Sequence, residues 1–309
     1  MRICRFELDG ATRFGVLDGD TVIDLSTGAF SDMTAFISGG AAALGEARRM
    51  MSDAAETDRH ELKRIHLLEP VVPSTVLCAG SNYHAHNAEK LNTPLSGKEP
   101  EFFVKTSDCV IGPGESIICD PKLTQKLDLE TELAVVIGKP GRHIPVHQAL
   151  DHVFGYTVAN DATARDRQVR RTPEGFTWYE LGRGKAFDTS LPLGPVIVTV
   201  DELPDPQALT LRTRINGELR QQTSTADMIW SCAELIHFFS VNFTLKPGMV
   251  ILTGTPAGTA WSTDKELGGN WSPAPGLTPA TRYCLPGDVV ESEIVEIGVL
   301  HNSVVGPDT

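Results

Sequence analysis

Residues Leu127–Lys139 read LDLETELAVVIGK, and this stretch decides the fold. Five apolar residues, Leu133 to Ile137, follow the acidic LDLETE and stop at Gly138. That is a strand-sized run, rich in valine and isoleucine and closed by a glycine. The same signature returns at Val196–Val200, Met249–Leu252 and Val289–Ile297, with glycine and proline between the runs (28 and 20 in the chain). Repeated short runs of this kind predict a mostly β domain, a sandwich or roll, rather than a helical bundle. Helices are predicted at His147–His152 and Asp227–Ser240. Moving outward, Asp9-Gly10 and Asp18-Gly19 mark hairpins in a β-rich start. Residues 32–52 read as one or two helices interrupted at Gly39-Gly40. The proline-containing LEPVVPS at Leu68–Ser74 reads as a linker. The expected division is a small N-terminal domain, 1–72, and a catalytic domain, 73–309, in an α+β chain that is mostly β.

The 309 residues suffice for one large domain or two at roughly 100–200 residues each. A net charge of -13 opposes nucleic-acid binding, which calls for a basic face. No apolar run approaches the ~18 residues that span a bilayer, so no membrane partner is expected. The N-terminus MRICRFELDG lacks the apolar core of a signal peptide. Six cysteines without a C-x-x-C pair predict reduced, buried thiols and a cytoplasmic protein.

Glu130 and Glu132 stand two apart at the strand-like run, so they project to one face. Two close carboxylates repel, and an apolar neighbourhood screens them poorly. A hard divalent cation removes the conflict, and Asp161, after the strand-like Tyr156–Ala159, offers a third oxygen ligand. Asp128 could join the same face. Spacing alone also fits a solvated strand face. In SNYHAHNAEKL (81–91), His86 and Glu89 are one helical turn apart, where the carboxylate would orient the imidazole for taking a proton. A surface helix with an incidental pair fits the same spacing. Lys185, in the loop-like GRGKAFD, could stabilise negative charge beside a metal. Arg165 and Gln168 follow Asp161 in NDATARDRQ, where the spacing permits one helical turn leading out of the site and a surface placement fits equally, and Lys105 ends a strand-like FFVK. Thr253 and Thr255 close the run Met249–Leu252 with hydroxyls and backbone N–H groups suited to a carboxylate. Neither a phosphate-binding glycine loop nor a serine-hydrolase elbow is present.

Taken in order, these segments resemble the fumarylacetoacetate hydrolase family. The stretches that carry the resemblance are Asn82-Tyr83 with His86 and Glu89, then Phe103 with Lys105, then LDLETELAVVIGK. After these come FGYTVANDATARDRQ, GKAFDTSLPLGP, INGELRQ, ILTGTPAG and PGDVVESEIVEIGVLHN. The resemblance spans roughly residues 76–302 and is closest to the acylpyruvate hydrolase and 2-hydroxyhepta-2,4-diene-1,7-dioate isomerase branch. It implies a mixed β-sandwich roll, a small N-terminal β-rich domain and a homodimer. It implies Mg2+ or Mn2+, with Ca2+ also accommodated, held by Glu130, Glu132 and Asp161. It maps a catalytic pair onto His86 and Glu89, and the charge-stabilising lysine onto Lys185. Tyr83, Lys105, Arg165, Gln168, Thr253 and Thr255 are the candidate substrate contacts.

The activity implied is metal-dependent hydrolysis of a carbon–carbon bond in a small 2-oxo carboxylate of acylpyruvate type. The alternatives are a decarboxylase, tautomerase or isomerase of the same family, for example on oxaloacetate, and, more remotely, a non-catalytic metal-binding protein. Two segments depart from the family pattern: Ser262–Pro286 is longer than a plain connection after T-G-T-P-A-G, and Arg165–Lys185 has its own composition, including Trp178 and Tyr179.

Overall fold

The structure is a computed structural model that describes residues 1–89, 98–172, 174 and 177–307. Its central strand is Thr131–Ile137, buried at all seven positions. Side chains alternate across a strand, and here both faces are covered. Leu133, Val135 and Ile137 enter one core with Leu235, Ile236 and Phe239 of helix α5 (Cys232–Asn242). Ala134 and Val136 enter a second core with Phe36 and Ile37 of helix α1 (Met33–Asp53). Burial on both faces explains why the run is continuously apolar rather than alternating.

On one side the central strand pairs antiparallel with Val153–Asn160, which pairs in turn with Leu191–Thr199. On the other side lies Val250–Leu252, antiparallel, followed by Val76–Gly80, parallel, and by the edge strand Glu101–Lys105. A second sheet runs Glu218–Ser224, Thr210–Ile215, Val289–Ile294, Gly298–Val305, Ser116–Ile118. Its Leu211, Ile294 and Leu300 share a core with Leu133 and Val158, which makes the two sheets a sandwich. The expected α+β, mostly β architecture is therefore present.

The N-terminal strands Arg2–Leu8, Ala11–Asp18 and Thr21–Asp24 form the expected meander, with Asp9 and Gly10 both at positive φ (52° and 75°) in the first turn. The meander extends the large sheet, because Arg2 pairs with Val198 and Ile3 with Ile197. Helix α1 is capped by Asp32, which accepts from Ala35 N, and it breaks at Gly40. The helix expected from Asp227 begins instead at Cys232, because Thr225–Asp227 closes a separate 3-10 turn and Ser231 with Glu234 forms the capping box. At 147–152 the segment is a 3-10 helix, Val146–His152. The run at 289–297 ends as a strand at Ile294, and the chain turns back into Gly298–Val305.

Candidate active site

The strand pairing assembles the acidic cluster. Thr131 pairs with Asn160, and Asp161 N donates to Glu130 O at 2.8 Å, so the ends of two neighbouring strands present Glu130, Glu132 and Asp161 together. One oxygen from each lies within 4.8 Å of the others, and all three residues are buried. Glu132 accepts from Gly254 N at 2.6 Å. Gly254 adopts φ 91°, and a Cβ there would sit 2.8 Å from Asn82 Cβ, so glycine alone lets this N–H approach.

Cations flank the cluster unevenly. Lys185, at the end of helix α4 (Leu181–Lys185), donates from Nζ to Glu130 and, at 2.5 Å, to Asp161 Oδ2. Arg165, opening helix α3 (Arg165–Gln168), donates to Asp128 Oδ2 at 2.8 Å, to Gln168 Oε1 at 2.9 Å and to Glu130. Burial works to raise the Glu130 carboxyl, but Arg165 and Lys185 outweigh it and hold the group below the ordinary carboxylate range. Glu132 goes the other way. Burial, then the Asp161 and Glu130 charges, push its carboxyl well above the ordinary value. Among the described residues no lysine or arginine forms an ion pair with it. Three buried oxygen donors, one of them without an ion-pair partner among the described residues, fit a hard divalent cation.

His86 lies on helix α2 (His84–Ala88), and Glu89 is the residue that caps its C-terminal end. His86 Nδ1 lies 2.6 Å from Glu89 Oε2, both residues are buried, and His84 faces outward. Glu89 Oε1 accepts from Gly258 N, and its carbonyl accepts from Asn270 N at 2.8 Å. Asn82 anchors the start of this turn, donating to Trp230 O at 2.9 Å and Thr253 O at 2.8 Å. The pair is thus held to the segment after Val250–Leu252 rather than lying on a solvated helix.

A pocket of about 160 Å³ opens over these groups. Of the residues expected from sequence, His86, Glu130, Glu132, Asp161, Arg165, Gln168, Lys185 and Thr255 line it. Four do not. Glu89 stands behind His86 as its partner. Tyr83 is buried outside the lining, and among the described residues its hydroxyl has no hydrogen-bond partner. Lys105 supports the cluster from behind: its Nζ is 2.7 Å from Asp161 Oδ1 as an ion pair and donates to Ser190 O at 2.7 Å. Thr253 turns its hydroxyl onto Leu133 O at 2.9 Å and serves the backbone.

Asp128 stays out of the cluster. It accepts from Arg165 Nε and from the backbone N–H groups of Ala260 (2.9 Å) and Trp261 (3.0 Å). Sequence reasoning missed Trp261, Phe103 and Leu181 as lining residues, whereas Tyr179 lies in the segment Arg165–Lys185 that the sequence marks as a candidate pocket wall or dimer contact. The available signal was that Trp261 and Tyr179 lie in or beside the two segments that depart from the family pattern.

The sequence family described as "Fumarylacetoacetate (FAA) hydrolase C-terminal" matches residues 75–305, and "Rv2993c-like, N-terminal" matches residues 1–70. The human oxaloacetate tautomerase FAHD2A, mitochondrial, is 40% identical over 274 residues, 88% of this chain and 79% of that protein. Among solved structures, a fumarylacetoacetate hydrolase from Exiguobacterium antarcticum superposes with a TM-score of 0.77 at 34% identity, covering 99% of both chains. Maleylpyruvate hydrolase from Sphingobium sp. SYK-6, in complex with manganese(II) and pyruvate, superposes with a TM-score of 0.76 at 27% identity, again covering 99% of both.

Proposed function

The chain belongs to the fumarylacetoacetate hydrolase family, and from that premise we propose that it is a divalent-metal-dependent enzyme that interconverts the keto and enol forms of a small 2-oxo carboxylate. The observation that carries this reading is the buried Glu130–Glu132–Asp161 cluster, in which Glu132 has no ion-pair partner among the described residues, beside the hydrogen-bonded His86–Glu89 pair. The relatives at about this level of identity that are named oxaloacetate tautomerases make oxaloacetate the first substrate to assay. They also move the emphasis from the carbon–carbon hydrolysis favoured by the sequence to the enolisation that both reactions share.

Glu130, Glu132 and Asp161 would hold Mg2+ or Mn2+, and Ca2+ is compatible with the same oxygen donors. Held there, the ion would supply Lewis-acid polarisation of the substrate's 2-oxo group. Tautomerisation then moves one proton between the enol oxygen and C3. His86 carries that proton at Nε2, since Nδ1 is engaged by Glu89, and the Glu89 carboxylate steadies the ring and its protonated form. Lys185 offsets the negative charge that develops on the substrate. Gln168 offers a polar contact to the substrate carboxylate, and Arg165 keeps Glu130 ionised and in place; the Thr255 hydroxyl is committed, donating to Thr131 O at 3.0 Å and accepting from Gln221 Nε2 at 3.0 Å. Lys105 sets Asp161 from behind.

Segment 1–72 contributes no described lining residue, so we assign it to bracing the sheet edge and residues 73–309 to catalysis. The six buried thiols, with no disulfide, fit a reducing compartment such as the cytoplasm. Homodimerisation agrees with the exposed apolar Phe102, Val104 and Val241 and is checked by sedimentation.

A second reading, hydrolysis of an acylpyruvate, is favoured by the His86–Glu89 pair, which could activate water. Product analysis with oxaloacetate and acetylpyruvate, with Mn2+ or chelator, separates the two. The tautomerase reading expects metal-dependent loss of the enol with no carbon lost. Cleavage of acetylpyruvate to acetate and pyruvate would install the hydrolase instead.

A further inference from the structure

An aromatic residue that immediately precedes one departing segment, Ser262–Pro286, meets in the pocket with one from the other, Arg165–Lys185. Trp261, just before the long connection, is 3% exposed and lines the cavity, as does Tyr179 from the other segment, and their ring centroids lie 5.9 Å apart. Trp261 is fixed on several sides. Its backbone N–H is held by Asp128, its indole Nε1 donates to Leu267 O at 3.0 Å, and its ring covers the Arg165 guanidinium at 5.0 Å. Phe103 and Leu181 extend the same apolar lining.

The charges around the pocket are already committed. Its described lining carries four acidic residues, Glu101, Glu130, Glu132 and Asp161, and two basic ones, Arg165 and Lys185. Against these two cations the three cluster carboxylates keep one negative charge for a divalent ion to meet, while Glu101 stands apart and exposed. Each of the three nitrogens of Arg165 already has an acceptor. A substrate's first carboxylate can be met at the ion, but among the described lining residues a second one would find no uncommitted cation, and beside Trp261 and Tyr179 it would find aromatic carbon. Burying an unpaired carboxylate there is costly, whereas a flat uncharged group gains apolar and ring contacts.

We propose that Trp261 and Tyr179 form the specificity wall of the site and select 2-oxo acids whose distal end is flat and uncharged, unsaturated or aromatic, over those ending in a second carboxylate. This rests on the functional reading above for the placement of the first carboxylate.

The test compares phenylpyruvate and oxaloacetate on the Mg2+-loaded protein, by calorimetric binding and by tautomerisation rate. Wild type is expected to bind phenylpyruvate about tenfold more tightly than oxaloacetate, a gap of the size apolar pocket contacts support. Trp261→Ala and Tyr179→Ala should erase that preference by weakening phenylpyruvate far more than oxaloacetate, and Trp261→Phe should keep it. A wild-type preference for oxaloacetate, equal weakening of both acids in the alanine variants, or no binding of either acid overturns the proposal. Wall-dependent binding of phenylpyruvate without turnover of either acid sustains it while removing the tautomerase reading.

Discussion

Replacing Glu132 by Gln should make the metal-free protein more stable, the reverse of the usual effect of changing a buried polar residue. In the cluster, Glu132 lies within 4.8 Å of both Glu130 and Asp161. At that separation each pair repels by about 3 kcal/mol at an effective dielectric of about 20. Lys185 offsets part of this, which leaves a net relief of about 3 kcal/mol. The glutamine keeps a carbonyl oxygen to accept from Gly254 N–H, so no buried donor is orphaned. The sign with pH follows from the raised carboxyl. Between its ordinary value of 4.5 and its raised folded value, the folded chain binds more protons than the unfolded one, so wild-type stability falls as pH rises through that window. The advantage of Glu132→Gln therefore grows from about pH 4.5 upward and vanishes below it. Urea denaturation in chelator and in saturating Mn2+ reads both effects. Wild type should gain about 2.7 kcal/mol at a hundredfold excess of metal over its dissociation constant, and the variant should gain nothing. A variant less stable than wild type in chelator at pH 8 would refute the reasoning.

Three further outcomes are expected. His86→Ala should abolish turnover while leaving the Mn2+-dependent rise in denaturation midpoint intact, since His86 is outside the carboxylate cluster; retained turnover would dismiss the proton-transfer pair. Gly184→Ala should lower kcat/KM at least about tenfold, because its Cβ would sit 2.4 Å from Gln168 Cβ and drive helix α3 off helix α4; a crystal structure with Gln168 unmoved would contradict this. All six thiols are buried, and burial raises Cys4 and Cys232 to about 12, so the native protein should resist alkylation near neutral pH until denaturant is added. Rapid labelling in native buffer would count against the packing around them.

The large sheet and the acidic cluster were legible because both follow from strand chemistry: apolar runs of fixed length, and carboxylates two apart at the start of one run. Asp161 was reachable because it follows directly on a second such run. The roles of Lys105 and Thr253 were not legible. Each ends or follows a strand near the site, yet one-dimensional spacing does not say whether a side chain points into the pocket or onto the layer behind it. Lys105 went behind because Ser190 and Ala162 offer it carbonyls there. Tyr83 adjoins the pair in sequence, but Asn82 locks the turn so that His86 faces the cavity and Tyr83 the interior. Asp128 looked like a fourth metal ligand, whereas two backbone N–H groups and Arg165 claim its oxygens. Trp261 was hidden because its position depends on a connection that folds back through Asn270 to Glu89, a long-range contact no local pattern announces.

The most direct test of the central claim is ketonisation of enol-oxaloacetate by chelator-stripped protein titrated with Mn2+, alongside Asp161→Asn. The account predicts turnover that rises with one Mn2+ per chain and a variant that neither binds the ion nor turns over. Equal rates in chelator and in Mn2+, or an unimpaired Asp161→Asn, would contradict a metal centre built from Glu130, Glu132 and Asp161.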